Sequence, residues 1–117
     1  MANTGEKFYM LTTTFSDEKE AAAIAQDLLR QRLIACAQLE KIRSLYEWNG
    51  AQEDVEEIRL TAKTHEHLMG QTEEYLRAHH PYEVPQIVWL SFEASADYGD
   101  WIRTQTATAA VEADSGT

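Results

Sequence analysis

The run HHPYEVP, His79 to Pro85, carries the side chains best suited to chemistry. Imidazole ligates transition metals and titrates near neutral pH, so an adjacent pair raises a metal site. Such a site needs convergent neutral ligands and a supporting second shell. Adjacent residues tend to point apart, and no H-x-x-x-H or C-x-x-C spacing occurs. A plainer role is available. The residue before a proline is pushed out of the α region, so a helix should stop near His79. A histidine in that last turn sits at the negative helix end, which favours its protonated form. The residues alone leave both readings open.

Few other groups could carry chemistry. His65 and His67 are two apart at an expected helix start, where side chains diverge, so surface roles are expected. Cys36 lies among small apolar residues in LIACAQL and reads as a buried, inert thiol. The stretch YEWNGAQEDVEE sets Tyr46 and Trp48 on one strand face, as core, interface or stacking platform, ahead of Glu53, Asp54, Glu56 and Glu57. These acids fit neither a calcium loop nor a paired-carboxylate active site and read as a solvated strand. No phosphate loop, dinucleotide fingerprint or nucleophile elbow occurs, and the chain is expected not to be an enzyme.

Six elements and a last helix must position these groups. KFYMLTTTF, residues 7–15, reads as a strand. Ser16 is the expected N-cap of a helix reaching about Arg32, with Ala21, Ile24, Ala25, Leu28 and Leu29 on its buried face. A strand over about 35–48 meets Asn49-Gly50, a strong type I′ hairpin signal. A third strand follows over about 55–63, with Glu56, Ile58, Leu60 and Ala62 opposite Val55, Glu57 and Arg59. Thr64 is the expected cap of a helix over 65–79 with Leu68, Met69, Thr72 and Leu76 inward. A fourth strand over 86–92 and a helix over about 96–106 complete the order. Two βα units joined by a hairpin, with right-handed crossovers, predict an α+β ferredoxin-like sandwich with its second and fourth strands at the edges. Residues 1–109 are expected to form one domain and 110–117 a flexible tail.

One pattern conflicts with an isolated sandwich. In the fourth strand Ile87 and Trp89 share one face, and Val88, Leu90 and Phe92 the other. A sheet with one wet face should alternate with polar residues. An apolar edge strand invites pairing with another chain, which predicts a homo-oligomer. The alternative is that the last helix alone covers the second face.

Composition excludes several classes. The chain has 117 residues and a formal net charge of −10, with 20 acidic residues against 10 basic. Duplex nucleic acid and anionic membranes both demand Lys and Arg, so neither is an expected partner. No run reaches the roughly 18 apolar residues of a membrane helix. One cysteine and no signal-peptide core predict a cytoplasmic location.

Taken in order, TTTFSDEKEA, LLRQRLIACAQL, SLYEWNGAQED, LTAKT, HHPYEVPQI and the Trp101 of YGDWI make the chain resemble the CutA family of divalent-cation tolerance proteins, from Leu11 to about Thr106. The resemblance implies a ferredoxin-like homotrimer, related in architecture to PII-type signalling proteins, with hairpin strands pairing between subunits. It implies a link to copper and other divalent ions, with no established catalytic residue and no required cofactor. The copper attribution in the family uses a first-strand cysteine with the paired histidines. His79 and His80 match the histidines, while Thr13 stands at the cysteine position. A hydroxyl is a poor ligand for copper, which favours thiolate and imidazole. The second reading is a PII-like module that binds a small ligand or protein partner in an inter-subunit cleft, lined by Tyr46, Trp48, Lys63, Tyr82 and Glu83.

Overall fold

A computed structural model describes residues 7–107. Its elements are β1 (Phe8–Phe15), α1 (Glu18–Arg30), β2 (Cys36–Trp48), β3 (Ala51–His65), a 3-10 turn (Glu66–Leu68), α2 (Met69–His79), β4 (Val88–Phe92) and α3 (Ala96–Gln105). The sheet order is β2-β3-β1-β4, and every neighbouring pair is antiparallel. This is the α+β ferredoxin-like arrangement, with β2 and β4 at the edges. The tail expected at 110–117 lies outside the described residues.

The sheet has two unlike faces. Residues paired across antiparallel strands share a face. Leu11, Phe15, Ile58, Leu60 and Ala62 point to the side covered by α1 and α2. Ala21, Ile24, Ala25 and Leu28 of α1 and Leu68 and Leu76 around α2 complete that core. Ile87 and Trp89 pack against it, and the Trp89 indole donates to Glu73 at 2.9 Å, tying β4 to α2. On the opposite face α3 covers one end only. There Phe8, Ala35 and Ile102 are buried with Phe92 and Tyr98 against them. Val88 and Leu90 on that face stay 44% and 56% exposed. Gly99 permits this close approach, because a Cβ there would lie 2.9 Å from the Phe8 ring.

The β2–β3 hairpin runs well beyond the body. β1 pairs with β3 only from Ile58 onward, whereas β2 pairs with β3 up to Trp48 and Ala51. Asn49 and Gly50 both have positive φ, 53° and 81°, as a type I′ turn requires. The molecule measures 54 × 28 × 21 Å. Leu45 on the projecting part is 68% exposed.

Several local expectations are corrected. Asp17, not Ser16, caps α1, its carboxylate accepting from the Lys19 N–H at 2.7 Å. Leu29 falls outside the buried stripe and is exposed. Arg32 takes the left-handed position after α1, φ 59°, and Leu33 returns its N–H to Leu28. β3 is longer at both ends than the 55–63 expected, because its pairing with β2 continues to the turn and its pairing with β1 to His65. Thr64 is thus a strand residue whose hydroxyl donates to the Leu33 carbonyl at 2.8 Å, and His65 caps the 3-10 turn. β4 starts at Val88 rather than residue 86.

Candidate functional site

His79 ends α2 and His80 is its C-cap, extended at φ −71° and ψ 136°. Pro81 imposes that break. The two rings consequently serve different neighbours. His80 turns to β1. Its ring stacks on Phe15 with centroids 4.3 Å apart and planes 11° apart. Nε2 lies 3.1 Å from the Thr13 hydroxyl, and Nδ1 accepts the Tyr82 N–H at 3.1 Å. An Nδ1 that accepts a backbone N–H carries no proton, so the network assigns the neutral ring its hydrogen at Nε2. Burial pushes the His80 pKa down, against smaller opposing effects from the Thr14 backbone, Glu20 and Glu57.

His79 stays on the surface. Its Nδ1 lies 2.9 Å from the Tyr75 carbonyl and its ring stacks on Tyr75 at 4.1 Å. A carbonyl only accepts, so Nδ1 bears the hydrogen and Nε2 is left with its lone pair in the neutral ring. The Tyr75 hydroxyl donates to Asp27 at 2.6 Å. That bond, the Arg30 pair and the nearby His79 hold the Asp27 carboxyl below its usual range. Among the described residues, no three His, Cys, Asp or Glu side chains group so as to hold a metal ion.

The residues expected to line a cleft fall into two groups. Tyr82 reaches Glu57, donating from its hydroxyl to the carboxylate at 2.6 Å. Glu57 is only 6% exposed, which corrects its reading as a solvated strand residue. Desolvation, with Glu57 next in size and Tyr46 also contributing, pushes the Tyr82 pKa upward, so the phenol remains a donor. Tyr46 therefore belongs to this neighbourhood. Trp48 follows on the same face of β2 and is 43% exposed. Glu83 is exposed.

Lys63 belongs elsewhere on the open face. It pairs in register with Cys36 of β2 and Met10 of β1. Its ammonium lies 3.4 Å from the Tyr98 hydroxyl and 5.3 Å over the Tyr98 ring. The Cys36 sulfur lies 3.6 Å from the same hydroxyl. Cys36 is half-buried rather than sealed in apolar core. His65 and His67 meet edge to face at 5.5 Å, away from the HHPYEVP segment in the chain.

Glu57 and Tyr98 are the participants that sequence reasoning missed. Glu57 had no usable signal, since the strand phase it shares with Val55 and Arg59 puts it on the face away from the helices, where exposure is expected. Nothing local marks Tyr82 as its partner, because the two are 25 residues apart.

The residues 9–105 match the family described as CutA1 divalent ion tolerance protein. The chain belongs to that family. Its CutA relatives include the divalent-cation tolerance protein CutA of Pyrococcus horikoshii, 37% identical over 95 residues, covering 80% of this chain and 93% of that one. The CutA of Thermus thermophilus is also 37% identical over 95 residues, covering 80% and 92%. Among solved structures, CutA of Synechococcus elongatus PCC7942 superposes with a TM-score of 0.83 at 32% identity, covering 86% of this chain and 90% of that one. The CutA fold and the family's association with divalent-ion tolerance thus meet on a chain with threonine at position 13.

Proposed function

We propose that this chain acts in divalent-cation tolerance as a non-catalytic, metal-binding or metal-responsive subunit of a cytoplasmic homotrimer, with His79 as its metal-facing imidazole. Family membership supports the role. The observation that carries the residue assignment is the opposite state of the two rings. Metal-ligating histidines commonly donate one ring N–H to a carbonyl and bind through the other nitrogen. His79 has that arrangement through Tyr75, whereas His80 has a partner at each nitrogen. Copper suits imidazole, and Asp27 is the neighbouring carboxylate. Titration calorimetry with copper(II) and zinc on the wild type, His79→Ala and His80→Ala tests the assignment. Loss of binding in His79→Ala alone is expected. Equal binding by all three proteins overturns it.

The trimer is supported by the outer edges of β2 and β4 and by exposed apolar groups on one face, Val88, Leu90, Tyr46 and Trp48. Light scattering should give three times the chain mass at micromolar concentration, and a monomer would remove the proposal. Among the described residues no helix is long and apolar enough to cross a membrane. A CutA from Archaeoglobus fulgidus, 27% identical with a TM-score of 0.81, is described as periplasmic, so fractionation of the native cell is the test of location.

A second reading, a PII-like ligand cleft, is favoured by one observation. Tyr82 bonds the buried Glu57 carboxylate and lies within electrostatic reach of Tyr46. Thermal-shift screening against small ligands tests it.

A further inference from the structure

Thr13 lies on the helix side of the sheet, paired with Leu60, and has no exposed surface. Its hydroxyl is 3.1 Å from Nε2 of His80. Nδ1 of the same ring accepts the Tyr82 N–H, so Nε2 carries the hydrogen and the Thr13 oxygen accepts it. Phe15 covers one face of the ring. Each nitrogen of His80 is thus committed, one to β1 and one to the segment after α2. A metal at Nε2 would displace the hydrogen and take its partner from a buried hydroxyl, and a buried polar group without a partner is costly.

His79 does not complete a set with these two. Its ring turns to Tyr75, stacked on the phenol and bonded to the Tyr75 carbonyl. The copper set that the resemblance implies, position 13 with His79 and His80, therefore does not assemble. Position 13 offers a hydroxyl, His80 has no open nitrogen, and His79 faces elsewhere. Sulfur is the ligand that selects copper(I). The one cysteine of the chain cannot supply it here. Cys36 pairs with Lys63 on the opposite face of the sheet and lies against Tyr98.

We propose that Thr13 sets the metal preference of this chain by closing the first strand to copper(I), its hydroxyl bound to His80 where a soft ligand would be needed. Imidazole without sulfur suits ions such as copper(II) and zinc, so the ion open to His79 is of that class. The inference goes beyond the His79 assignment. It concerns which ion is refused at β1 and does not require His79 to bind.

Anaerobic titration of the full chain with copper(I), in competition with a chromogenic copper(I) chelator, tests it. Cys36→Ser serves as the reference, so that the native thiol adds no background. The reference should leave the metal with the chelator. Thr13→Cys in that background should take copper(I) at least about 100-fold more tightly, beyond the roughly 10–100-fold that outer-shell changes produce. Adding His80→Gln should reduce that gain. Thr13→Val keeps the shape without sulfur and should behave as the reference. Circular dichroism checks each fold. Competition for copper(I) by the reference protein overturns the proposal, and that result needs no change at position 13. Equal gains in Thr13→Val and Thr13→Cys overturn it too, because loss of the hydroxyl alone would then open His80. A folded Thr13→Cys protein that gains nothing overturns Thr13 as the determinant. The copper(II) and zinc titrations of His79→Ala read the separate His79 assignment, whose failure leaves the copper(I) result unchanged.

Discussion

The two faces of the sheet differ in kind. Beneath α1 and α2, Leu11, Phe15, Leu28, Leu60 and Leu76 have no exposed surface at all. The polar side chains there find partners within the chain, as Thr72 does at the Leu68 carbonyl, 2.8 Å, and Thr64 at the Leu33 carbonyl, 2.8 Å. The other face is covered by α3 at one end only. It carries exposed apolar side chains and two polar groupings, Glu57 with Tyr82 and Lys63 with Tyr98 and Cys36. One face is finished within the chain. The other leaves Val88 and Leu90 in contact with solvent.

That contrast can be broken by substitution. Leu60→Ala, on the finished face, should cost about 2–5 kcal/mol, because it deletes fully buried methyl groups and leaves a cavity. Urea denaturation measures it. Leu90→Ser, on the open face, should leave the fold intact and lower the sedimenting mass. Equal losses of folding stability at the two positions would erase the distinction. At the covered end of the open face, Gly99→Ala should displace the Phe8 ring and cost about 1 kcal/mol net, since overpacking outweighs the helix-propensity gain. Thermal unfolding reads it against Gly70→Ala, where a Cβ meets nothing within 4 Å and stability should rise.

A pH effect sharpens the comparison at the boundary of the two faces. Burial depresses the folded-state pKa of His80. The unfolded chain therefore takes up a proton before the folded one does as pH falls through the ordinary histidine range. Stability from this group is complete above about 6.5 and is lost as pH drops through that value to the folded pKa. Denaturation of metal-free protein at pH 7 and pH 5, compared with His80→Gln, measures the difference. A pH dependence equal in both proteins would remove His80 as its source. The smallest effect is expected at Arg32, whose positive φ favours glycine. Arg32→Gly should gain up to about 1 kcal/mol, offset partly by its bond to the Gln105 carbonyl.

Much of this was legible along the chain. The strand phase Ile58, Leu60, Ala62, the helix stripe Ala21, Ile24, Ala25, Leu28, the Asn49-Gly50 turn and the stop at His79-His80-Pro81 were each local patterns with a local cause. The errors were local too. Ser16 and Asp17 are both good caps, and nothing in sequence says which side chain meets the Lys19 N–H. Thr64 reads as a cap, but pairing with β1 carries the strand past it to His65. Of the proposed cleft set, Tyr82 reaches Glu57 with Tyr46 in its vicinity, while Lys63 joins Tyr98 and Cys36.

By itself the sequence determined the α+β order, the hairpin, the family and the candidacy of His79 and His80, because periodicity, turn chemistry and proline act within a few residues. Only the tertiary structure decided which imidazole nitrogen stays available, that Glu57 is buried, and that Tyr82 reaches it. The bonds of Tyr82 to Glu57 and of His80 to Thr13 span 25 and 67 positions, where register and packing rather than local preference set the partners. HHPYEVP thus separates into a surface histidine stacked on Tyr75, a histidine locked to β1, and a tyrosine that holds the buried Glu57 carboxyl.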